Sequence, residues 1–226
     1  MTDIKLYMAP GTCARVSAIC LEQAQLDFDT VLIRFMRGEH KSSEFRQLNP
    51  QGKVPALLID GEALTENVAI IVYLNKHYPD AGLLPAAADA LASARQLADL
   101  CFCAATLHPI VTRIRMPHFF ASKEAARAVW EAGCKAMDEY FGLIEQRLST
   151  GPWWYGDDWS AVDAYLFWVY WRCEGADYDV ASYPRYIDHA RRMRERPAVQ
   201  RALAREETAT AQLKKEGLLF MPPPVQ

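Results

Sequence analysis

The sequence predicts two parts of different fold class: a small α/β domain over residues 1–80 and an all-helical domain over residues 88–226. Before residue 80, short apolar strands alternate with stretches of helical pattern. Beyond residue 88, apolar residues recur at helical spacing only. Residues 78–85 are rich in proline, glycine and aspartate, which is typical of a linker between two domains.

The composition is that of an ordinary globular protein, since 51% of the 226 residues are hydrophobic and 23% are charged. A net charge of −3 without a long basic run argues against nucleic acid as the main partner. We expect no stretch to have the length and apolarity of a membrane span. We also expect no signal peptide, because the amino terminus leads directly into a strand. The six cysteines include no C-x-x-C pair or zinc-type cluster, so we expect reduced thiols, a cytoplasmic location and no metal site.

The first domain is predicted to follow the order β-α-β-α-β-β-α around a mixed sheet. Its strands are expected at residues 5–8, 28–35, 54–59 and 62–64, and its helices at residues 14–24, 42–48 and 65–77. Asp60-Gly61 is a strong signal for a tight hairpin turn between the last two strands. Thr65 is expected to be the N-cap of the third helix, with Glu66 in its first turn.

The second domain is predicted to contain helices over residues 88–108, 123–148 and 186–194, one that begins at Ser160, and a short one that begins at Pro197. Pro109 cannot donate a helical hydrogen bond, so a kink or break is expected there, and Pro117 is a second interruption. Ser160 and Asp163 fit a capping box in which aspartate replaces the usual glutamate or glutamine.

Cys13 is predicted to lie at a strand-to-helix turn, because Pro10-Gly11 signals a turn and the next helix begins at Ala14. The partial positive charge and the free N–H groups at a helix N-terminus favour a thiolate over a thiol. A sulfur in this position is either a nucleophile or a neighbour of a bound thiol. The alternative is a buried core cysteine, a common setting for free cysteine.

Two further stretches have features of a site for a peptide-like molecule. Pro55 either begins a strand or follows a cis bond, and in the second case the Val54 backbone can pair with a ligand as an added strand would. Thr65-Glu66-Asn67 begins a helix whose N–H groups suit a carboxylate, and Glu66 suits an ammonium group. The alternatives are a strand-initiating proline and an ordinary helix cap.

Three more residues are candidates for binding or catalysis. His40 and Lys41 lie in a polar loop and suit a second carboxylate, although loop charges are commonly only solvated. His108, just before Pro109, is either a catalyst or a packed residue.

Taken together, these stretches resemble a cytosolic glutathione S-transferase over nearly the whole chain. The resemblance is carried by Gly38-Glu39-His40-Lys41 through Glu44-Phe45, Asn49-Pro50-Gln51-Gly52-Lys53-Val54-Pro55, Leu64-Thr65-Glu66-Asn67-Val68-Ala69-Ile70, and Gly156-Asp157 with Ser160-Ala161-Val162-Asp163-Ala164. It implies a thioredoxin-like domain that binds glutathione and an all-helical domain that carries the electrophile site. The turn at residues 7–13 and His108 look like the bacterial beta class, whereas residues 38–41 look like the phi and theta classes.

The resemblance also implies roles for individual residues. The implied catalytic residues are Cys13, Thr12 and His108, and the implied glutathione contacts are Tyr7, His40, Lys41, Lys53, Val54, Pro55, Glu66 and Asn67. In this picture Val54 pairs with the cysteinyl unit, Glu66 and Asn67 hold the γ-glutamyl head, and the basic side chains face the glycyl carboxylate. Family members often have serine where this chain has Asn67, and beta-class members often have lysine where it has Pro109.

The implied activity is transfer of the glutathione thiolate to a small hydrophobic or anionic electrophile. Electrophile contacts are expected between the domains from Arg113, Met116, Phe119, Phe120, Trp168 and Arg172. An ionised Cys13 instead favours a mixed disulfide with glutathione, and hence thiol-disulfide exchange. The family further implies glutathione as co-substrate, a cytoplasmic homodimer and a role in detoxification. Two alternatives stay open: a glutathione-dependent lyase, isomerase or dehalogenase, and a non-catalytic binding protein on the same scaffold.

Overall fold

A computed structural model of the chain describes residues 2–222 and divides into two compact units. We call residues 2–83 with 195–221 the amino-terminal unit, and residues 84–194 the helical unit. The last helix thus belongs with the first part of the chain. The sequence-based ranges of 1–80 and 88–226 assign that helix to the second domain, because hydrophobic periodicity does not indicate which element a helix packs against.

The amino-terminal unit is built on a four-stranded mixed sheet of order β2-β1-β3-β4. The strands are β1 Ile4–Met8, β2 Asp29–Leu32, β3 Ala56–Ile59 and β4 Glu62–Thr65. β1 runs parallel to β2 and antiparallel to β3, which forms a hairpin with β4. Asp60 and Gly61 have φ values of 48° and 91°, the left-handed conformation that a two-residue hairpin requires. The predicted mixed α/β sheet is confirmed, although β2 ends three residues earlier than expected.

Four helices complete this unit: α1 Ala14–Gln23, α2 Ser43–Leu48, α3 Asn67–His77 and α9 Pro197–Lys215. α1 is buried over nearly its whole length, because it packs against both α3 and α9. The expectation of a short helix at Pro197 is wrong, since α9 is 19 residues long and buries Val199, Ala202 and Leu213. The N-cap of α3 is Glu66 rather than the expected Thr65, which still belongs to β4.

The helical unit contains α4 Ala90–Cys101, α5 His108–Arg115, α6 Ala126–Arg147, α7 Ala161–Glu174 and α8 Pro184–Glu195. A π-helical segment, Phe102–Leu107, joins α4 to α5 and ends two residues before Pro109. The expected interruption therefore takes the form of a local widening of the helix, which is a common response to a lost helical hydrogen bond. Pro117 begins a short 3-10 turn, as a proline at a first helical position can.

The core of the helical unit is organised around α7, most of whose residues are buried. The predicted capping box is present: Ser160 Oγ accepts from the Val162 N–H, and the Asp163 carboxylate accepts from the Ser160 N–H at 2.8 Å. The other carboxylate oxygen of Asp163 accepts from the Trp154 N–H and contacts His189 Nε2 at 3.0 Å. A fully buried carboxylate is tolerated here because several donors surround it.

One helical run, Ala90–Arg115, is long and apolar enough to cross a membrane by length and composition alone. This corrects the expectation that no stretch has the length and apolarity of a membrane span. The helix was expected to end at residue 108, but in the structure the helical run continues past Pro109. It is the single such run among residues 2–222, and one run is weak evidence because core helices of soluble proteins pass the same test.

Candidate functional site

The first part of the candidate site is the turn that joins β1 to α1. Cys13 is the N-cap residue of α1 and is partly exposed. Its thiol donates to the Val54 carbonyl oxygen, with 3.6 Å between sulfur and oxygen. Cys13 is thus not a core cysteine: its sulfur lies at the positive end of a helix and beside the backbone that precedes β3.

Thr12 has a different role in this turn. Its hydroxyl donates to the Ala9 carbonyl at 2.7 Å, and its N–H contacts the same oxygen at 3.3 Å. The hydroxyl hydrogen that would stabilise a neighbouring thiolate is therefore already used inside the turn. Cys13 is the better candidate for sulfur chemistry here.

Burial separates Cys13 from other cysteines of the chain. Burial raises the pKa of the Cys20 thiol to about 12, although this residue lies on the same helix. Burial and two neighbouring carboxylates, those of Asp138 and Glu131, raise the pKa of Cys134 to about 11. Burial likewise raises the pKa of Cys103 and Cys173. These four thiols stay protonated at neutral pH and are unsuited to nucleophilic chemistry.

The second part of the site is the turn before β3. The Val54-Pro55 peptide bond is cis, and β3 begins one residue later. Buried Asn49 orders the approach to it, because its amide donates to the Lys53 carbonyl at 2.7 Å and accepts from the Gln51 N–H at 3.1 Å. The Val54 backbone is therefore held in a fixed position beside Cys13.

The third part is the start of α3. Glu66 has a φ of 69°, a strained value for a residue other than glycine, and its side chain is exposed. Gln51 donates to the Glu66 carboxylate at 3.2 Å. The Asn67 amide, in contrast, is buried, and contacts Ser17 and the Cys13 carbonyl. An exposed carboxylate beside a helix N-terminus suits a ligand that carries both an ammonium and a carboxylate group.

The fourth part is the loop between β2 and α2, where His40 and Lys41 form a 3-10 turn. Burial, together with the positive charges of Lys41 and Arg46, lowers the pKa of His40. His40 is consequently a neutral hydrogen-bonding group at pH 7, whereas exposed Lys41 and Lys53 supply positive charge. Phe35 packs edge-on against the His40 ring, with 4.7 Å between ring centroids.

Gly52 fixes the distance between this loop and the turn before β3. Its φ is 65°, and a Cβ built on it would lie 2.6 Å from the His40 carbonyl oxygen. Because that neighbour is backbone, we expect Gly52→Ala to reduce the free energy of unfolding by about 2–3 kcal/mol. Gly38→Ala is the matched control: its φ is 74° but nothing lies within 4 Å. Urea denaturation of both variants tests this, and equal losses would show that the contact with His40 is unimportant.

The remaining predicted residues lie in the helical unit. His108 Nδ1 and the buried Tyr165 hydroxyl share a hydrogen bond of 3.0 Å, and the His108 ring packs edge-on against Trp168. Arg113 donates to the Pro109 carbonyl and lies over the Phe120 ring at 5.3 Å. The other predicted electrophile contacts in this unit are Met116, Phe119, which is 70% exposed, and Arg172, which lies over the Trp171 ring.

Sequence reasoning did not predict the contacts that Gln51, Gly11 and Glu206 make in the amino-terminal unit. Gln51 lies in the stretch of residues 49–55 that carries part of the family resemblance. Its polar side chain beside a tight turn could have indicated a role in the site. Gly11 and Glu206 meet although 195 residues separate them: the Gly11 N–H donates to the buried Glu206 carboxylate, which also binds Arg15. Nothing in the local pattern around Glu206 indicates this contact.

The part of the chain from residue 2 to 222 contains no group of three or more histidine, cysteine, aspartate or glutamate side chains suited to a metal ion.

Residues 2–76 match the family model for the glutathione S-transferase N-terminal domain, and residues 127–205 match that for its C-terminal domain. The chain is 31% identical over 205 residues to Glutathione S-transferase GstA of Escherichia coli, covering 90% of this chain and 98% of that protein.

Further similarities extend to another enzyme and to solved structures. A maleylpyruvate isomerase of a Ralstonia species is 32% identical over 173 residues, covering 72% of this chain and 79% of the isomerase. A glutathione transferase of Methylococcus capsulatus is 33% identical, with a TM-score of 0.79 over 91% of this chain and 99% of that one. A homologue from Sulfitobacter with bound glutathione is 28% identical, with a TM-score of 0.78 over 97% of this chain and 100% of its own.

Proposed function

The chain belongs to the glutathione S-transferase family and is an enzyme of that family, and from this premise we propose that glutathione binds in the amino-terminal unit with its sulfur beside Cys13. The observation that carries this proposal is the position of the Cys13 thiol. Cys13 is the N-cap residue of α1, and its sulfur lies 3.6 Å from the carbonyl oxygen of Val54. A peptide that pairs with the Val54 backbone brings its own central side chain to that thiol.

The two ends of glutathione have complementary partners in the same unit. The exposed Glu66 carboxylate, oriented by Gln51, receives the γ-glutamyl ammonium group. The N–H groups at the start of α3, that of Asn67 among them, receive the γ-glutamyl carboxylate. Lys41 and Lys53 attract the glycyl carboxylate, and neutral His40 adds a hydrogen bond. Tyr7 and Pro55 complete the predicted contacts.

Two reactions follow from a glutathione sulfur held beside Cys13. In conjugation, the glutathione thiolate attacks an electrophilic carbon and forms a carbon–sulfur bond, while the bond from that carbon to its leaving group breaks and the leaving group departs with the electron pair. In exchange, the Cys13 thiolate attacks a disulfide of glutathione, forms a Cys13–glutathione disulfide and releases the other thiolate. A second glutathione thiolate then attacks that mixed disulfide, releasing glutathione disulfide and restoring Cys13. The helix N-terminus supports the thiolate in both reactions.

The helical unit supplies the remaining proposed groups. His108, whose ring shares a hydrogen bond with the Tyr165 hydroxyl, is proposed as a catalytic residue. Arg113, Arg172 and the exposed Phe119 suit a small hydrophobic or anionic electrophile, and Met116, Phe120 and Trp168 are proposed with them. A homodimer, a cytoplasmic location and a role in detoxification are typical of the family and are part of this proposal.

A glutathione-dependent isomerase is the second candidate, and the similarity to a maleylpyruvate isomerase favours it. In such a reaction the thiolate adds to the substrate and leaves again, so glutathione is not consumed. Conjugation consumes one glutathione for each product. Measuring free thiol during turnover of a candidate substrate therefore distinguishes the two activities.

Calorimetric titration of glutathione into the reduced protein tests the proposal. We expect saturable binding, and we expect Glu66→Gln to weaken it by about tenfold, because the lost interaction is a charge-assisted hydrogen bond. Glu62→Gln is the matched control, since Glu62 is an exposed glutamate of β4, the strand that leads to Glu66. Absence of binding by the wild type at millimolar glutathione would overturn the proposal, and equal effects of the two substitutions would overturn the role of Glu66.

A further inference from the structure

Asn67 links the beginning of α3 to the beginning of α1. Its Oδ1 accepts a hydrogen bond from the Ser17 hydroxyl at 2.7 Å, and its Nδ2 donates to the Cys13 carbonyl at 3.1 Å. Asn67 is 4% exposed and Ser17 is fully buried. A side-chain amide has one accepting and one donating end, and here each end has a partner that fits it. The amide therefore has a single satisfied orientation.

The bond to Cys13 acts on the peptide group that follows the thiol-bearing residue. The Cys13 carbonyl also accepts the Val16 N–H at 3.0 Å in the first turn of α1. Two donors on one carbonyl fix the plane of the peptide that joins Cys13 to Ala14. The direction of the Cys13 side chain and of the first amide of α1 both depend on that plane. Because Asn67 and Ser17 are buried, water competes little with the bonds of the amide.

We propose that Asn67 is a positioning residue: its side-chain amide holds the Cys13 backbone in a fixed position relative to the glutathione site. The side-chain amide does not itself bind glutathione. The inference rests on the proposed function. The backbone N–H of Asn67 lies at the end of α3 that is proposed to receive the γ-glutamyl carboxylate. The side chain of Asn67 reaches the turn that contains Cys13. The resemblance assigned Asn67 to the head group directly, but the structure has its amide bonded to Ser17 and Cys13.

A serine, which family members often have at this position, has one hydroxyl hydrogen and a shorter side chain. Its hydroxyl can donate one bond and accept another, as the amide does, but it lies nearer the backbone, so Asn67→Ser weakens the link to Cys13 through the shorter side chain. Asn67→Asp is the second variant: it keeps an acceptor for Ser17 and lacks the N–H that Cys13 needs. Ser17→Ala is the matched control, because it removes the other bond of the same amide and leaves the Cys13 carbonyl its donor.

The experiment measures alkylation of Cys13 by iodoacetamide across pH in the absence of glutathione, followed by mass spectrometry of the peptide that contains Cys13. Glutathione affinity is measured by calorimetry, and kcat and KM by disulfide exchange. We expect Asn67→Ser and Asn67→Asp to move the alkylation profile to higher pH and to lower kcat about fivefold, the effect of one lost hydrogen bond. Glutathione affinity and KM should change less than about twofold, and Ser17→Ala should leave the alkylation profile unchanged.

Two results would overturn the proposal. A tenfold loss of glutathione affinity with an unchanged alkylation profile would make the Asn67 amide a direct ligand of glutathione. If Asn67→Ser or Asn67→Asp folds and keeps both the alkylation profile of Cys13 and kcat, then the bond from Asn67 to the Cys13 carbonyl has no role in positioning. Because alkylation is measured without glutathione, this failure is distinct from failure of the proposed function, which would appear as absence of glutathione binding by the wild type.

Discussion

Replacing Cys13 with alanine is expected to lower the rate of glutathione-dependent disulfide exchange by at least about 100-fold, which corresponds to about 2.7 kcal/mol of transition-state stabilisation. Exchange through a mixed disulfide needs a protein sulfur, and four of the other cysteines have pKa values raised by burial. The measurement uses a disulfide between glutathione and a small thiol, with glutathione disulfide as the product followed. Glutathione affinity should change little, because the proposed contacts to the two ends remain.

Two further variants make this experiment specific. Cys101→Ala removes a cysteine from the exposed surface of the helical unit and should leave exchange unchanged. Thr12→Ala removes a hydroxyl that already donates to the Ala9 carbonyl. We therefore expect it to lower the exchange rate far less than Cys13→Ala does, and only by loosening the turn. Full exchange activity in Cys13→Ala would show that Cys13 is not the nucleophile. Loss of conjugation in Thr12→Ala alone would make the hydroxyl the activating group.

Replacing Glu206 with alanine is expected to reduce the free energy of unfolding by about 3–5 kcal/mol, the usual cost of leaving one charge of a buried pair without its partner. Glu206 and Arg15 are 6% and 5% exposed. The Arg15 guanidinium contacts the carboxylate through two nitrogens, at 2.7 and 3.0 Å. The same carboxylate accepts the Gly11 N–H, so the substitution also removes the acceptor that fixes the turn before Cys13.

Urea denaturation followed by circular dichroism tests this expectation. Glu131→Ala is the control, because its pair with Arg127 is more than half exposed on α6 and should contribute less than about 0.5 kcal/mol. Replacing both Arg15 and Glu206 with leucine should recover much of the loss, since apolar side chains need no charged partner. A loss below about 1 kcal/mol for Glu206→Ala would contradict the burial argument.

Much of the amino-terminal fold was predictable because local chemistry specifies it. Asp60-Gly61 favours the left-handed conformation of a tight hairpin, and the strands on either side of it form as expected. The same holds at one place in the helical unit, where Ser160 and Asp163 specify a capping box through bonds between residues three apart. The expected N-cap at Thr65 was wrong because the strand continues through it, and only the structure reveals the strained conformation of Glu66.

The location of the site was also predictable in part. A proline and glycine before Cys13 predict the turn that places its sulfur at the start of α1, and the structure has it there. The roles of Cys13, Val54 and Glu66 stay predictions until glutathione binding is measured. The choice between Cys13 and Thr12 could not be made from sequence, because it depends on whether the Thr12 hydroxyl bonds within the turn.

The sequence by itself determined the alternation of short strands and helices, the hairpin, the capping box at Ser160 and the turn that holds Cys13, because each depends on residues a few positions apart. Only the tertiary structure decided that α9 packs on α1, that Glu206 binds Arg15 and Gly11, and that the Asn67 amide reaches the Cys13 carbonyl. These contacts join residues 54 to 195 positions apart. Hydrophobic periodicity defines which face of a helix is buried, but the partner of a buried polar group is fixed only when the elements pack together.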